Sequence, residues 1–272
     1  GRTVTDITIV GLGVSCADHV TPEAERAIRR CNEVLYVDTG IATRPWLEER
    51  CSKVTNLYET CYVDGGYRLE TYHQIAAEVV EAAMDHGPVV FAVQGHPTVF
   101  CYPPFLVSQV AELVGLTVSV QPGISAMSAL FTELMLDPAP HGLLMYEATD
   151  MLLRRRPLLP DVPALIWQVG SLESHLYTTR GSTSDRFVRF RDYLLQFYSP
   201  EHKVKAVYAS PHPLAASQIR SFAIADLTRH ARDLEGGVTL YIPATHQRPV
   251  ADVALLALLD DPHHLRGITS RD

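Results

Sequence analysis

No stretch of this chain approaches the roughly 18 consecutive apolar residues of a membrane-crossing helix. The start, Gly1-Arg2-Thr3-Val4-Thr5-Asp6, has no basic region leading into an apolar run, so no secretory signal is expected. Cysteine is sparse and scattered: Cys16, Cys31, Cys51, Cys61 and Cys101 contain no C-x-x-C pair. That excludes a disulfide scaffold, and the expectation is reduced thiols in a cytoplasmic protein. The 12 histidines show no ligand spacing; His263-His264 lies in a polar tail and Pro211-His212-Pro213 in an isolated loop, so no metal is expected. Positive charge is short as well. Lys and Arg number 23 against 31 Asp and Glu, a formal charge of -8. A protein that holds bulk nucleic acid needs the opposite balance. Internal repeats and low-complexity segments are missing too. With 47% hydrophobic and 20% charged residues, the composition excludes a disordered tail, a collagen and a coiled coil.

What is present is alternation. At about 150 residues per domain, 272 residues make one large domain or two small ones. Short β-branched runs mark strands at Ile7–Val10, Val34–Val37, Val89–Val93 and Thr117–Val120. Between them Thr21-Pro22, a cap and a first-turn proline, opens a helix to about Arg30. Arg68 to His86 reads as a long helix closed by Gly87, and Pro104 to Leu116 as another. Strands alternating with helices predict a mostly parallel sheet covered on both faces. Further strands are expected at Leu143–Tyr146, Ala164–Trp167, Lys205–Tyr208 and Val238–Ile242. Short joins and the prolines between Pro138 and Pro163 predict a mixed sheet there. The composition shift at Gln121-Pro122-Gly123 divides an N-terminal α/β domain, 1–121, from a C-terminal mixed α/β domain, 122–249. Residues 250–272 form a tail, with a last helix over Val250–Leu259.

Gly11-Leu12-Gly13 follows the first strand, where glycines let a ligand approach the backbone. The dinucleotide fingerprint needs a third glycine where Cys16 stands, so this loop alone reads equally as a tight turn. Two more turns occupy equivalent places: Gly95-His96-Pro97 after Val89–Val93, and Pro122-Gly123-Ile124-Ser125-Ala126 after Val118–Val120. Turns at the carboxyl ends of parallel strands line the edge where open α/β sheets bind ligands.

Val10-Gly11-Leu12-Gly13, Gly95-His96-Pro97, Pro122 to Ala126, Gln168-Val169-Gly170 and Gly237-Val238-Thr239, in that order, resemble the tetrapyrrole methylase superfamily, S-adenosylmethionine-dependent enzymes that methylate corrin and porphyrin rings. Within it the chain is similar to the borosin peptide α-N-methyltransferases, which methylate backbone amides of a precursor peptide. That likeness rests on Leu57-Tyr58 with Tyr62, Arg68-Leu69-Glu70-Thr71-Tyr72, Gly95 to Phe100, Tyr146-Glu147-Ala148-Thr149-Asp150, Arg154-Arg155-Arg156-Pro157 and Gly236-Gly237-Val238. The resemblance implies a two-domain tetrapyrrole-methylase-like fold, an S-adenosylmethionine cofactor and a homodimer. It implies cofactor contacts from Gln94, Gly95, His96, Val99, Phe100, Ser125, Ala126, Gln168, Ala209, Thr239 and Leu240. Two departures stand out. Many fungal members carry Tyr where this chain has Gln94, and they continue into a fused substrate where this sequence reaches Asp272. The resemblance then implies a separate precursor peptide as substrate.

A backbone amide is a poor nucleophile, because its nitrogen lone pair is tied up in resonance. A tyrosine serves as base if an adjacent cation lowers its pKa from about 10. An arginine stabilises negative charge developing on the amide oxygen. Arg68 and Tyr72 are four apart on one helix face, and Ile75, Val79 and Ala83 extend that stripe inward. A core tyrosine with a snorkelling arginine has the same spacing. With the resemblance, Arg68, Tyr72, Tyr58 and Tyr62 become the expected catalytic set. Tyr72, activated by Arg68, would deprotonate or polarise the amide, while Tyr58 and Tyr62 hold the peptide. His96 reads as a cofactor contact or a plain turn residue. Arg154-Arg155-Arg156 reads as a solvated run or as a dock for an acidic peptide. Two alternatives stay open: a methyltransferase of the superfamily acting on a ring or on RNA, and a non-catalytic binding protein on the same fold.

Overall fold

The computed structural model describes residues 4–212 and 214–271. Gly1–Thr3 of the N-terminal reading, Pro213 of the Pro211-His212-Pro213 loop and Asp272 lie outside the described residues. The first part of the chain runs β1 (Ile7–Gly11), α1 (Cys16–His19), α2 (Pro22–Arg30), β2 (Glu33–Val37), α3 (Thr43–Glu48), β3 (Val54–Asn56), α4 (Leu57–Cys61), α5 (Arg68–His86), β4 (Val89–Val93), α6 (Pro103–Leu113), β5 (Val118–Val120) and α7 (Ala126–Leu134). The second runs β6 (Leu144–Glu147), α8 (Ala148–Arg154), β7 (Ala164–Trp167), α9 (Val188–Leu194), β8 (Lys203–Tyr208), β9 (Gln218–Ala223) and β10 (Thr239–Ile242), with 3-10 helices at Val169–Ser171, Ser184–Phe187 and Ile224–Leu234. Two final helices follow, α10 (Val253–Leu258) and α11 (Pro262–Ile268).

Among the described residues the first five strands form a parallel sheet in the order β3-β2-β4-β1-β5. Its three inner strands are mostly apolar because both faces are covered. Ile7, Ile9, Leu35, Val89, Phe91 and Val93 point to α5 and α6. The alternate residues Val10, Val34, Tyr36, Val90 and Ala92 pack on α2 and α3. The other five strands form a mixed sheet, β6-β7-β10-β8-β9, parallel only between β6 and β7. One face carries a core built with α8, α9 and the Ile224–Leu234 helix. Its other face, Leu165, Trp167 and Val207, packs on Leu130 of α7. This is the expected α/β class, a parallel sheet in the N-terminal part and a mixed sheet in the C-terminal part.

Local chemistry explains most element ends. The Thr21 hydroxyl accepts from the Ala24 amide, and Pro22 starts α2 with no amide to satisfy. Ser125 caps α7 in the same way. Helix α5 spans the predicted residues, but Gly87 is not a left-handed cap: its φ is -55. A Cβ at Gly87 would come within 2.7 Å of the Ala83 carbonyl oxygen, so close approach demands the glycine. Three expectations are corrected. The third long helix is Pro103–Leu113, because Gly115 turns the chain at φ +77. Strands β3 and β9 were not expected; β3 is three residues long, and β9 is an edge strand of mostly exposed residues with no apolar run. The expected last helix is two short ones, each with an aspartate cap, Asp252 and Asp261. No helix among the described residues is long and apolar enough to cross a membrane.

Candidate active site

Parallel strands end on one edge, and that edge collects Gly11 at the last residue of β1, Asp38, Gln94 and Gln121 directly after β2, β4 and β5, and Tyr58 two residues after β3. The three glycine turns interlock there. Gly13 and Gly95 exchange backbone hydrogen bonds of 3.3 and 2.9 Å. A Cβ on Gly11 would lie 2.2 Å from the Gly95 oxygen, and one on Gly123 would lie 2.7 Å from the Gly11 Cα. Only glycine permits backbones this close.

The antiparallel register of β10 with β7 and β8 puts Gln168, Ala209 and Thr239 at one end of the mixed sheet. This end meets the first domain: the Gln168 side-chain amide donates to the Phe100 carbonyl at 3.3 Å, and Phe100 stacks on Trp167 at 4.6 Å. A Cβ on Gly95 would reach Ser125 Cα and the Ala126 nitrogen at 3.8 and 3.9 Å. Gly95, Phe100, Ser125, Ala126 and Gln168 are therefore brought together. His96 is engaged in its own turn, its Nδ1 accepting from the Thr98 amide at 3.1 Å. Gln94 is a neighbour of the same turn, its Oε1 accepting from the Thr39 hydroxyl at 3.2 Å. Leu240 stands apart. Its side chain belongs to the core of the second sheet and its backbone pairs on both sides.

Beside this seam opens a cavity of about 760 Å³ lined by Tyr58, Tyr62, Arg68 and Tyr72. Gly170 and Val238 also line it, next to Gln168 and Thr239. The four expected catalytic residues thus share one wall. Tyr58 and Tyr62 sit 4.4 Å apart on α4 and its C-cap. Arg68 and Tyr72 occupy the first turns of α5, whose Ile75 and Val79 are fully buried. The segment 174–177 folds over them. Gly65 and Tyr177 exchange hydrogen bonds with each other's stretch, the Arg68 amide donates to His175, and the Arg68 guanidinium donates to the Ser174 carbonyl. Tyr177 lands edge-on to Tyr62 at 5.0 Å.

The electrostatics correct one expectation. Arg68 does pull the Tyr72 phenol down, but burial is the larger effect and the phenol ends above its ordinary value. Burial also pushes Tyr58 and Tyr62 well up, and the Cys101 thiol to about 12. Low-dielectric walls disfavour each charged form. The site is a set of protonated phenols around one guanidinium. Sequence reasoning missed Tyr177, Cys101 and Asp38. Tyr177 lies more than 100 positions from Tyr58 and Tyr62 and nothing in its local pattern announces the contact.

Asp38 is buried at the end of β2. Its Oδ1 accepts from the Gly40 amide at 2.6 Å, while Oδ2 has no partner among the described residues. Burial raises its carboxyl to about 6 against the lowering by Gly40 and Thr43. The protonated form is therefore favoured by folding. That contribution is complete below the unfolded-state pKa and is lost as pH rises through about 6. A shift of roughly two units corresponds to about 3 kcal/mol. Asp38→Asn should flatten the fall in stability between about pH 4 and 7, checked by urea unfolding across that range. An unchanged pH dependence would refute the assignment.

The arginine run resolves into two ion pairs and a turn. Arg154 and Arg156 both bind Asp150, at 2.8 and 2.7 Å, and Arg155 takes the left-handed cap of α8.

Residues 6–158 match the family described as Tetrapyrrole (Corrin/Porphyrin) Methylases. A methyltransferase/ribosomally synthesized type I borosin cyclic peptide precursor of Serendipita vermifera subsp. bescii is 29% identical over 94% of this chain and 62% of its own length. The methyltransferase/omphalotin A precursor of Omphalotus olearius is 30% identical over 87% of this chain and 57% of its own. The chain thus spans less than two thirds of these relatives. Among solved structures, the methyltransferase CobJ is 18% identical with a TM-score of 0.63, covering 91% of this chain and 98% of that one. Uroporphyrin-III C-methyltransferase from Thermus thermophilus, complexed with S-adenosylhomocysteine, is 16% identical with a TM-score of 0.62, covering 87% and 96%.

Proposed function

The chain belongs to the tetrapyrrole (corrin/porphyrin) methylase family, and from that premise we propose that it is a methyltransferase that moves the methyl group of S-adenosylmethionine onto backbone amides of a peptide. The observation that carries the peptide reading is the wall of Tyr58, Tyr62, Tyr72 and Arg68 in one cavity. Its phenols are hydrogen-bond donors and acceptors for an extended backbone, and their rings are apolar walls for side chains. The borosin relatives, named as methyltransferase and precursor in one, support it.

The seam between the sheets suits the cofactor. Gly95 leaves room beside Ser125 and Ala126, 3.8 and 3.9 Å from where its Cβ would stand, and Gln168 bonds the second sheet to Phe100 of the same turn. We assign cofactor contacts to Gly95, His96, Val99, Phe100, Ser125, Ala126, Gln168, Ala209 and Thr239, with Gln94 beside them. Bound there, S-adenosylmethionine supplies an electrophilic methyl. The chain's own part is to make the amide nucleophilic. Arg68 and the protonated Tyr72 donate toward the amide oxygen and stabilise the negative charge that develops there as the N–H proton passes to water in the open cavity. Because Tyr72 is protonated, polarising is its role in this reading ahead of abstracting the proton. Tyr58 and Tyr62 hold the peptide.

The substrate is read as a precursor peptide, as the borosin relatives' names carry one, and here it is proposed to be a separate polypeptide. A homodimer is part of the reading, supported by the exposed Val253, Leu255, Leu256, Leu259, Leu265 and Ile268 of the two final helices. The free thiols fit a reducing cytoplasm. The reading is tested by incubating the chain with cofactor carrying a deuterated methyl and valine- and glycine-rich peptides. Tandem mass spectrometry should place the label on backbone nitrogens. Label entering a corrin or porphyrin instead, or no cofactor binding in calorimetry, would overturn it.

A further inference from the structure

The cavity that holds the tyrosines is also lined by arginines. Arg180, Arg186, Arg220 and Arg232 join Arg68 in the lining, against only Asp233 and Glu235. The chain as a whole carries -8, so this is a local reversal of sign. It is also not a run. Arg180 sits on the loop before the Ser184–Phe187 helix, Arg220 on β9 and Arg232 on the Ile224–Leu234 helix. Three separate elements bring cations to one cavity, whereas Arg154-Arg155-Arg156 is contiguous and two of its three arginines are paired with Asp150.

Their partners differ. Arg186 is occupied structurally, donating to the Gly170 carbonyl and, at 2.9 Å, to the Ser182 hydroxyl. Arg220 reaches Asp233 only at 3.9 Å, and Asp233 is held at 2.9 Å by His230. Glu235 accepts from the Ser182 amide at 3.2 Å. Arg180 and Arg232 make no side-chain hydrogen bond or ion pair among the described residues. The acids of the lining are engaged while two of its cations are free. Exposed arginines that converge without anions suit a carboxylate, which they can take bidentately.

Resting on the peptide-methylation reading, we infer that the arginines of the cavity lining bind an acidic stretch of the substrate peptide, next to the residues whose amides face the tyrosines. A carboxylated ring fits less well. Its charges stand around its rim, whereas the free cations here, Arg180 and Arg232, are two in a lining they share with several phenols. Arg180 and Arg232 are then specificity residues that set the register of the peptide.

The test uses the full chain and short fluorescein-labelled peptides with a valine- and glycine-rich core. Paired glutamates stand before or after the core, and glutamine versions are the comparison. One glutamate peptide should bind about tenfold tighter than its glutamine version at low salt, or about 1.4 kcal/mol. The difference should shrink in high salt and vanish in the double variant Arg180→Glu/Arg232→Glu. Both side chains are exposed, so the variant should fold, and circular dichroism checks this. Equal binding of all glutamate and glutamine peptides, or a preference untouched by the variant, overturns the inference. So does arginine-dependent binding of an octacarboxylate porphyrin with no binding of the peptides. Tandem mass spectrometry on the same mixtures keeps the two readings apart. Backbone methylation that ignores the glutamates sinks the arginine inference alone. Arginine-dependent binding without methylation upholds it and sinks the catalytic reading.

Discussion

Tyr72→Phe and Arg68→Ala should each lower kcat for backbone methylation by about 100-fold or more, the size found for removing one donor from a developing oxyanion. Tyr72→Phe keeps the ring, which packs against the apolar residues under α5, and removes only the hydroxyl. Cofactor affinity in calorimetry should stay unchanged, because the assigned contacts lie on the turns after β4 and β5 and across the seam. Arg68→Ala acts twice. It removes the cation, and it frees the Ser174 carbonyl that the guanidinium holds. Arg68→Lys separates these effects: a point charge remains, but the planar fork is lost. A lysine variant with activity near that of alanine would assign the arginine's geometry the larger share. Tyr62→Phe should raise KM more than it lowers kcat, since its ring contacts with Tyr58 and Tyr177 survive. Near-normal methylation by both Tyr72→Phe and Arg68→Ala would refute the catalytic assignment.

Part of that set was legible because its pattern is local. Arg68 and Tyr72 lie one helical turn apart on the stripe of Ile75, Val79 and Ala83, which turns both inward, while their joining with Tyr58 and Tyr62 into one expected set comes from the resemblance. The glycine turns were legible for a similar reason, since each follows its strand directly. What the local pattern does not carry is the outcome of competing effects. An arginine beside a tyrosine predicts a lowered pKa, yet burial is the larger effect, and the phenol packs among core residues and Tyr102 that the local spacing does not reveal. Tyr177, Asp38 and the arginine lining depend on such long-range contacts as well. Arg180, Arg220 and Arg232 are ordinary surface charges in sequence and a convergent group only in the fold. Strand β9 was missed because an edge strand of exposed residues lacks the buried apolar run that marks the inner strands.

The glycine turns carry the second large effect, and it falls on folding. Gly11 closes β1, which pairs with β4 on one side and β5 on the other. In Gly11→Ala the new Cβ meets the Gly95 oxygen at 2.2 Å, the Gly123 Cα at 2.9 Å and Pro97 Cδ at 3.1 Å. Two of these are backbone and the third is a proline ring, so no rotamer change gives relief. Either the sheet centre opens or the turns after β4 and β5 move away. Overpacking of this kind costs typically 1–3 kcal/mol and occasionally more; for Gly11→Ala about 3 kcal/mol or more is expected. Gly115→Ala is the contrasting variant. Gly115 is left-handed at φ +77 with nothing within 4 Å of a Cβ, so it should cost only the conformational penalty of about 1–2 kcal/mol. Urea unfolding measures both. Cofactor affinity adds a second readout, because displaced turns would also spoil the hollow at Gly95, Ser125 and Ala126, whereas Gly115 lies away from them at the end of α6. A Gly11→Ala protein as stable as Gly115→Ala, with cofactor affinity intact, would mean that the three turns do not interlock and that the proposed cofactor seat is misplaced.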